Sequence, residues 1–505
     1  MRLPVFLLAA LLAPVSLFSQ VVPPTTDVSK ALSILTTGMT VKAITVDSTG
    51  NVYLAGTSAS AFTGATQTFG PRGGGDVFVI KTNSTGDQVV YAVSIGGTSL
   101  DDVRSIRTDA NGNLYALGST TSSDFPVTKA FTPSNPIGGI LFKLNATGGA
   151  LTYSTQLGPR MTAVAFDLDS TGAAYIVGNS NALDIPTTAG VIKPTPANPG
   201  LNDYYGFIVK LSAAGTNFDV ATLYGSIDKA VEAVSVRSNG ILILANGSLA
   251  LLNNTLTAQN ATATPNIAPA NMAFDASGNV YLAGTSTLAG GGFALRRYNS
   301  TLQQTLDKTY ALASTTVAPR IAVAGNGRIY LFGQATGPNF ATKNATQPCL
   351  VNISQPNGAA GYLVTDNGGG LLGGTGQSAL PSDQAMIIAD TDGTVLHATF
   401  LTANVAQAAT APNNGRVYVA ASQTIFSTPT WGTWRGILRF NQDIIPVEKT
   451  SPSCLVHAAY YTPVPVSPGA LMTIYGNHLG PGTTPTAGSS FTLDSNNRVP
   501  TSLKG

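Results

Sequence analysis

Charge is the scarcest property of this sequence. Charged residues make up 10% of the 505 residues, against roughly a quarter in ordinary soluble domains. The formal net charge is +2, from 26 Lys and Arg against 24 Asp and Glu, and no basic stretch concentrates it. A charge this small and dispersed argues against binding to nucleic acid or to an anionic membrane by bulk electrostatics. We therefore expect no nucleic-acid partner.

Cysteine and histidine are almost as rare, which argues against two further classes of protein. Only Cys349 and Cys454 are present, so the fold does not depend on a disulfide framework. Whether these two bond to each other stays open, because sequence does not fix their distance. The three histidines, His397, His457 and His478, lack the spacing of a zinc or iron site. No G-x-S-x-G nucleophile motif occurs. The sequence thus indicates no catalytic, cofactor-binding or metal-binding residue and no cofactor.

Long apolar runs are missing beyond the N-terminus. The first residues, MRLPVFLLAALLAPVSLFSQ, place Arg2 before an apolar run at 3–12 and a small-residue region with a plausible cut near Ser19. This layout predicts a secretory signal peptide at 1–19. The alternative, a membrane anchor, fits poorly because the apolar run is short and is interrupted by Pro4 and Pro14. We expect a secreted, cell-surface or periplasmic protein with no transmembrane segment after cleavage.

Glycine is plentiful, and seven glycines mark a repeated phrase such as DANGNLYALGS (109–119). A glycine after Asn, Ser or Thr supplies the positive φ that a tight hairpin requires. Three residues later stands a Tyr, or Ile in one copy. Four copies carry an Asp three residues before the glycine, where it can accept backbone N–H bonds. Each copy predicts a β-hairpin; the copies span 44–58, 109–119, 166–180, 236–248, 274–286, 323–334 and 411–422.

A second kind of hairpin follows each of these in most of the chain. One hairpin of each kind gives four antiparallel strands, and about seven such units of ~40–60 residues predict a β-propeller. Strands such as AYIVG (174–178) are apolar at successive positions, which fits sheets covered on both faces. The second hairpins span 77–97, 140–158, 206–225, 293–312, 386–401 and 436–449.

These patterns predict an all-β chain with a propeller at 41–450, most simply of seven four-stranded blades, with eight or six as alternatives. A linker or first strand occupies 20–40. We expect N- and C-terminal closure, with Gly436–Lys449 pairing with the sheet that contains Val41–Gly56 and a short strand at 32–36. A hairpin of the first kind is badly degraded around 248–265, and a hairpin-like segment at 361–377 has no place in the scheme.

The run DVFVIKTNSTGDQVVYAVSIGGTSLDDVRSIRTDANGNLYALGSTTSSDFPVTKAF (76–131) resembles the SBBP-type β-propeller repeat of exported bacterial proteins, as do the connectors at 122–131 and 182–193. That resemblance implies a fold and an exported location, and no activity. The stretch at 454–488 is similar to the start of the Solibacter-type C-terminal domain, an Ig-like module related to IPT/TIG domains. It implies a partial Ig-like segment at 451–505.

Several residue groups admit two interpretations. Lys81, Lys143, Lys210, Arg297 and Arg439 recur at one place in the second hairpin, either as a ring that meets an anionic glycan or as charges that keep exposed strand edges soluble. The repeated Tyr fits packing between blades better than stacking on sugars. Asp167/Asp169 and Asp390/Asp392 fit turn capping better than calcium binding, and the Asp101/Asp102 pair fits a solvated connector. Trp431 and Trp434 fit packing better than sugar binding.

The expected function is that of a monomeric, secreted or cell-surface propeller, a non-catalytic binding or scaffold module for a protein or a polysaccharide. The connectors at 58–75, 120–138 and 181–205 would then select the partner. The alternative is an extracellular carbohydrate-acting enzyme, a lyase or glycoside hydrolase, with its site on the propeller face. Three or more acidic, His or Arg side chains converging in the central channel would favour the enzyme.

Overall fold

A computed structural model describes most of residues 38–310, with gaps of one to five residues in the connectors. It further describes 319–336, 382–401, 404–410, 416–426 and 431–440, the short segments 27–28, 452–457 and 472–476, and Leu35. The predicted signal peptide at 1–19, the segment at 361–377 and Cys349 lie outside the described residues.

Six blades are each built from strands that follow one another along the chain. In each, the first strand lies innermost, and three further strands pair outward from it in antiparallel order; blades 1 and 2 also contain a short fifth strand. Blade 1 consists of β2 (Met39–Val46), β3 (Val52–Ser58), β4 (Gln67–Phe69), β5 (Asp76–Thr82) and β6 (Val89–Ile95), after the isolated β1 (Asp27–Val28). Blade 2 consists of β7 (Asp101–Thr108), β8 (Leu114–Thr120), β9 (Lys129–Ala130), β10 (Gly138–Leu144) and β11 (Leu151–Gly158).

The next four blades are regular four-stranded sheets. Blade 3 is β12 (Thr162–Leu168), β13 (Ala174–Asn181), β14 (Tyr204–Leu211) and β15 (Phe218–Tyr224); blade 4 is β16 (Val231–Arg237), β17 (Gly240–Ala245), β18 (Ser248–Leu252) and β19 (Gln259–Ala263). Blade 5 is β20 (Ile267–Phe274), β21 (Val280–Ser286), β22 (Phe293–Tyr298) and β23 (Gln304–Tyr310); blade 6 is β24 (Arg320–Val323), β25 (Ile329–Thr336), β26 (Ser382–Ala389) and β27 (Val395–Leu401).

The last four-stranded sheet, here called the terminal sheet, combines both ends of the propeller. It contains β28 (Asn404–Thr410), β29 (Val417–Phe426) and β30 (Trp431–Phe440), and β1 pairs with β30 at the edge of this sheet. The sequence predicts seven blades, whereas the structure has six blades of consecutive strands and makes the remaining sheet from distant segments. The fold is an all-β propeller. The pair β31 (Pro452–His457) and β32 (Met472–Gly476) forms a separate two-stranded sheet, which does not show an Ig-like domain.

The predicted closing register is wrong, although the two ends do meet. Asp27 pairs with Arg439 and Val28 with Leu438, while the other edge of β30 pairs with β29. The closing strand is therefore β1 rather than a strand at 32–36, and β30 belongs to a different sheet from Val41–Gly56. A strand pairs with whatever partner continues its own sheet, and Val41–Gly56 already has its own neighbours in blade 1.

One hydrophobic cluster lies between each pair of neighbouring sheets. Between blades 1 and 2, for example, Tyr53 and Val79 pack with Ile106. Tyr418 and Ile437 of the terminal sheet pack against Phe78 of blade 1. Strands buried on both faces explain why the sequence is apolar at successive positions. The clusters, taken in chain order, join all the sheets into a ring.

Parts of all three connectors expected to select a partner are instead used at the blade edges. In blades 1 and 2, β4 and β9 pair in parallel with the outermost strands β6 and β11. Blade 3 has a looser version, in which Thr188 and Lys193 hydrogen-bond to the backbone of β15. A fifth segment that covers an outer strand blocks edge-to-edge association. These parts of 58–75, 120–138 and 181–205 are therefore structural.

Two local predictions also need correction. The segment around 248–265 is not a degraded hairpin of the first kind, because β18 and β19 form the second hairpin of blade 4. The last predicted hairpin at 436–449 begins too late, because β30 starts at Trp431 and already includes Trp431 and Trp434, opposite Phe426 and Gln423.

The turn at Gly148 offers a direct test of packing between blades. Gly148 has a φ of +71°, and a Cβ added to it would lie 2.7 Å from the ring of Tyr91 in blade 1. We expect Gly148→Ala to lower the free energy of unfolding by about 2–3 kcal/mol, through left-handed strain and overpacking. The measurement is urea denaturation followed by far-ultraviolet circular dichroism.

Gly190→Ala is the matched control for this substitution. Gly190 has a similar φ of +75°, but a Cβ there would meet nothing within 4 Å. It should therefore cost only the backbone strain, about 1 kcal/mol. Equal losses in the two variants would show that Tyr91 does not limit the space at Gly148.

Candidate functional site

The innermost strands share a local irregularity. In six of the described innermost strands the pairing register shifts by one residue near the start of the strand, the mark of a β-bulge. The extra residue of the bulge is charged in blades 1, 2 and 4. In chain order these residues are Lys42, Arg104, Val164, Glu232, Pro269 and Ala406. Bulges change the direction of a side chain and are common beside functional sites.

A cavity of about 190 Å³ lies among these innermost strands. Its lining comes from β2, β7, β20, β24 and β28, so it belongs to the centre of the ring rather than to any one blade. Four of the lining residues are basic, namely Lys42, Arg104, Arg107 and Arg320. Among the described residues that line it, none is acidic. The cavity is therefore electropositive in a protein whose net charge is close to zero.

Two of the four cations are held by carboxylates just outside the cavity. Lys42 Nζ lies 2.6 Å from Asp102 Oδ1, and Arg107 Nε lies 3.3 Å from Asp167 Oδ1. Burial acts to raise the pKa of Asp102, but hydrogen bonds from Lys42 and Thr57 outweigh it and hold the pKa below its usual value. Asp102 is therefore an anion at neutral pH and fixes Lys42 in place.

The other two cations differ in their surroundings. Arg104 is exposed to solvent, and it makes no hydrogen bond or ion pair with any residue that the structure describes. Arg320 is partly buried, and its Nη1 donates a hydrogen bond to Asn271 Oδ1 at 3.3 Å. The Asn271 amide is itself oriented, since its Nδ2 donates to the Pro319 carbonyl. Burial lowers the pKa of Arg320.

The basic residues singled out from the second hairpins do not line this cavity. Lys81, Lys143 and Lys210 lie on the third strand of their blades, where each forms an ion pair with the turn aspartate of its own blade, at 3.7, 3.4 and 2.9 Å. The ammonium groups lie 4.6–5.1 Å from the ring centroids of Tyr115, Tyr53 and Tyr175. These three lysines therefore form neither an exposed ring that could bind a glycan nor a set of charges on exposed strand edges.

Hydroxyl groups of the repeated tyrosines connect some neighbouring blades. The Tyr53 hydroxyl lies 3.0 Å from Asp47 Oδ2 and 3.2 Å from the carbonyl oxygen of Gly112 in blade 2. Tyr418 in the terminal sheet donates similarly to the Ser84 carbonyl of blade 1, at 2.9 Å. Both tyrosines are fully buried. The repeated tyrosines thus pack between blades, as the sequence indicates.

The paired aspartates fall into two groups. Asp169 and Asp392 accept backbone N–H bonds within their turns, as turn capping predicts. Asp167 does not cap its turn, because it pairs with Arg107 and with the Val236 amide. Asp101 and Asp102, expected to be solvated, are not. Asp101 is fully buried and accepts hydrogen bonds from Thr120, Ser122 and the Gly97 amide, and Asp102 holds Lys42. In the part of the chain that the structure describes, no three His, Cys, Asp or Glu residues are placed to hold a metal ion.

Sequence reasoning did not find the cavity residues, although one signal points to two of them. Lys42 and Arg104 are separated by the same 62 residues as the turn glycines Gly50 and Gly112. Equivalent positions in successive blades face the same part of the ring. Arg320 carries no such signal, because the longer gap before it breaks the spacing.

Comparison with known proteins identifies no family for this chain. No protein-family model matches the chain, and no curated protein matches it. The SBBP-type and Ig-like resemblances therefore remain expectations. The described residues include no helix that is long and apolar enough to cross a membrane.

The solved structures that resemble this one have low identity. They include Raptor from Chaetomium thermophilum (10% identity, TM-score 0.44, 81% of this chain and 28% of that one) and an acylaminoacyl peptidase from Pyrococcus horikoshii (7%, 0.41, 80% and 52%). The Pan2 WD40 domain of Neurospora crassa matches at 10% identity and a TM-score of 0.36, over 58% of this chain and 75% of that one. The chain thus spans about a quarter of Raptor and half of the peptidase. At these scores the likenesses carry no argument about function.

Proposed function

We propose that this protein is a non-catalytic binding module that acts outside the cell and takes its ligand at the central cavity. The observation that carries this proposal is the electropositive lining contributed by five innermost strands. Ligand sites are concave and carry a few convergent polar groups on a rigid frame, and the middle of a ring of blades provides such a frame. The extracellular location rests on the signal-peptide pattern of residues 1–19.

The ionic state of the nearby carboxylates supports binding over catalysis. A glycoside hydrolase requires one carboxyl group with a raised pKa beside one that stays ionised. Asp102 has a lowered pKa and is occupied by Lys42, and Asp167 is occupied by Arg107 and by the Val236 amide at 2.9 Å. Asp102 therefore stays ionised and cannot serve as the general acid, while Asp167 is engaged by Arg107.

A second candidate, an enzyme that cleaves acidic polysaccharides, is favoured by one observation. Three arginines converge on the cavity, which meets the condition given above for the enzyme. Glu232, at the equivalent bulge of blade 4, has a pKa that burial raises, which suits a general acid or base. Glu232 is not among the residues that line the cavity, so the binding module remains the better-supported function.

The test is a binding and turnover screen of the purified chain. Immobilised acidic and neutral polysaccharides are probed for retention, and the same polymers are assayed for new reducing ends and for unsaturated products. Retention without cleavage is the expected result. Cleavage would replace the proposal with the second candidate, and neither retention nor cleavage of any polymer would overturn both.

A further inference from the structure

We infer that the central cavity binds a single oxyanion group, a carboxylate or a sulfate ester of an acidic polysaccharide, through Arg104 and the cations beside it. The inference rests on the proposed function and names the chemistry that its site selects. It depends on charge balance, on how the side chains are positioned and on the size of the cavity.

Arg104 has no carboxylate partner among the described residues, so its guanidinium group can bind a ligand anion. Asp102 and Asp167 are the described carboxylates that form ion pairs with cations of the cavity, and they hold Lys42 and Arg107. Arg104 lies between the residues of these two pairs on the same short strand, β7, and forms no ion pair in the described part of the chain. A guanidinium group offers a planar set of donors that matches the two oxygens of a carboxylate or sulfate.

The positions of these groups are fixed by the fold rather than by the ligand. The register shift between Val103 and Ser105 makes Arg104 the extra residue of a bulge, and the same shift in blade 1 does this for Lys42. The Lys42–Asp102 pair links blade 1 to blade 2, and the Arg107–Asp167 pair links blade 2 to blade 3. Ion pairs that bridge neighbouring blades hold the cavity wall in one arrangement before any ligand arrives.

Arg320 completes the set from the other side of the cavity wall. It is contributed by β24 of blade 6 and is oriented by Asn271 of blade 5. Because Arg320 and Arg104 both line the cavity, an oxyanion placed there meets basic groups from blades 2 and 6.

The size of the cavity limits what enters it. At about 190 Å³ it is smaller than the roughly 300–1,000 Å³ that pockets for drug-sized ligands occupy. A space of this size suits one acidic group and a few waters rather than a whole oligosaccharide. The polysaccharide would therefore present one acidic substituent at a time.

The experiment measures binding of polygalacturonate, which carries carboxylates, and dextran sulfate, which carries sulfate esters, with neutral dextran as the uncharged control. We expect the wild-type chain to bind at least one of the acidic polymers and not dextran. Arg104→Gln should weaken that binding about tenfold, and Arg104→Lys less, because lysine keeps the charge but loses the planar pair of donors. Isothermal titration calorimetry at two salt concentrations gives the affinities.

Arg72→Gln is the matched control. Arg72 is exposed on a connector and hydrogen-bonds only to Thr68 Oγ1 among the described residues, so its loss removes the same charge away from the cavity. It should leave the affinity within about twofold of wild type, the residual effect of a distant screened charge. Equal weakening by the two variants would show that bulk charge, and not the cavity, attracts the polymer.

The outcomes separate this inference from the proposed function. Preference for the carboxylate or for the sulfate polymer identifies which oxyanion is recognised. Unchanged binding by Arg104→Gln, or retention of dextran alone, overturns the oxyanion site and leaves a binding module intact. Binding to none of the polymers in the screen overturns both. All variants should melt within a few degrees of wild type, because Arg104 and Arg72 are both exposed.

Discussion

A chain that ends at residue 430 should melt roughly 10 °C or more below a chain that ends at residue 450. The shorter chain lacks β30, which pairs along ten residues with β29 and supplies the partner for β1. It also lacks Ile437, which is fully buried between the terminal sheet and blade 1. Loss of a buried Ile costs about 2–5 kcal/mol, and the orphaned backbone groups of β29 add to that cost. We estimate the shift in melting temperature from about 2–4 °C for each kcal/mol.

The chain that ends at residue 450 is the control for removing the C-terminal tail. It keeps every described strand of the propeller and loses β31, β32 and the residues around them. It should melt close to the full chain in differential scanning calorimetry. If the chain ending at 430 melts together with this control, the terminal sheet does not close the ring.

Asp47→Ala should lower the free energy of unfolding by about 3–5 kcal/mol, the usual cost of removing one partner from a buried ion pair. The carboxylate of Asp47 lies 3.7 Å from Lys81 Nζ, and both side chains are at most 10% exposed. It also accepts hydrogen bonds from the backbone amides of Thr49 and Asn51 and from the Tyr53 hydroxyl. The substitution therefore leaves a buried cation and several donors without their acceptor.

The same substitution should change the pH dependence of stability. Burial acts to raise the pKa of Asp47, but the hydrogen bonds from Asn51, Thr49 and Tyr53 hold it below the usual value. A carboxyl group with a lowered pKa stabilises the fold at a pH above its unfolded pKa, about 3.9, and loses that contribution as the pH falls through its folded pKa. The difference between wild type and Asp47→Ala should thus be constant near neutral pH and shrink below about pH 4.

Asp392→Ala is the control for this prediction. Asp392 caps the turn of blade 6 through Thr394, but it is exposed and forms no described ion pair. Chemical denaturation at pH 7 and at pH 3.5 should show a much smaller loss than for Asp47→Ala. A loss as large as that of Asp47→Ala would mean that turn capping, and not the buried Lys81 pair, dominates.

Much of the fold could be predicted from sequence because its signals are local. Gly50, Gly112, Gly172 and Gly278 all adopt a positive φ in the hairpin turns where the repeat places them. The blade unit follows from the alternation of two hairpin types. The second hairpin of blade 4 is easily mistaken for a degraded first hairpin, because only Asn246 and Gly247 separate β17 from β18, where the other blades have a longer connector. The closing pair of β1 with β30 joins residues more than 400 positions apart, a distance over which no local pattern operates.

The candidate site was harder to predict for a different physical reason. Lys81 and Arg104 are both basic residues within strands, and composition does not distinguish their roles. Their roles differ because Lys81 lies on the third strand beside a turn aspartate, whereas Arg104 occupies a bulge at the centre of the ring. The strand register decides the role of each residue. Sequence patterns do not resolve a register shift of one residue.

The residue at each repeated bulge can affect ligand recognition without taking part in the strand pairing that stabilises the blade. At each of these six positions one residue is left out of the ladder pairing, and the residues found there include Lys, Arg, Val, Glu, Pro and Ala. Such variety shows that the sheets fold regardless of which side chain stands at the bulge. Mutation can therefore alter the chemistry at the centre of the ring one blade at a time, and related rings could acquire different ligands without rebuilding a blade.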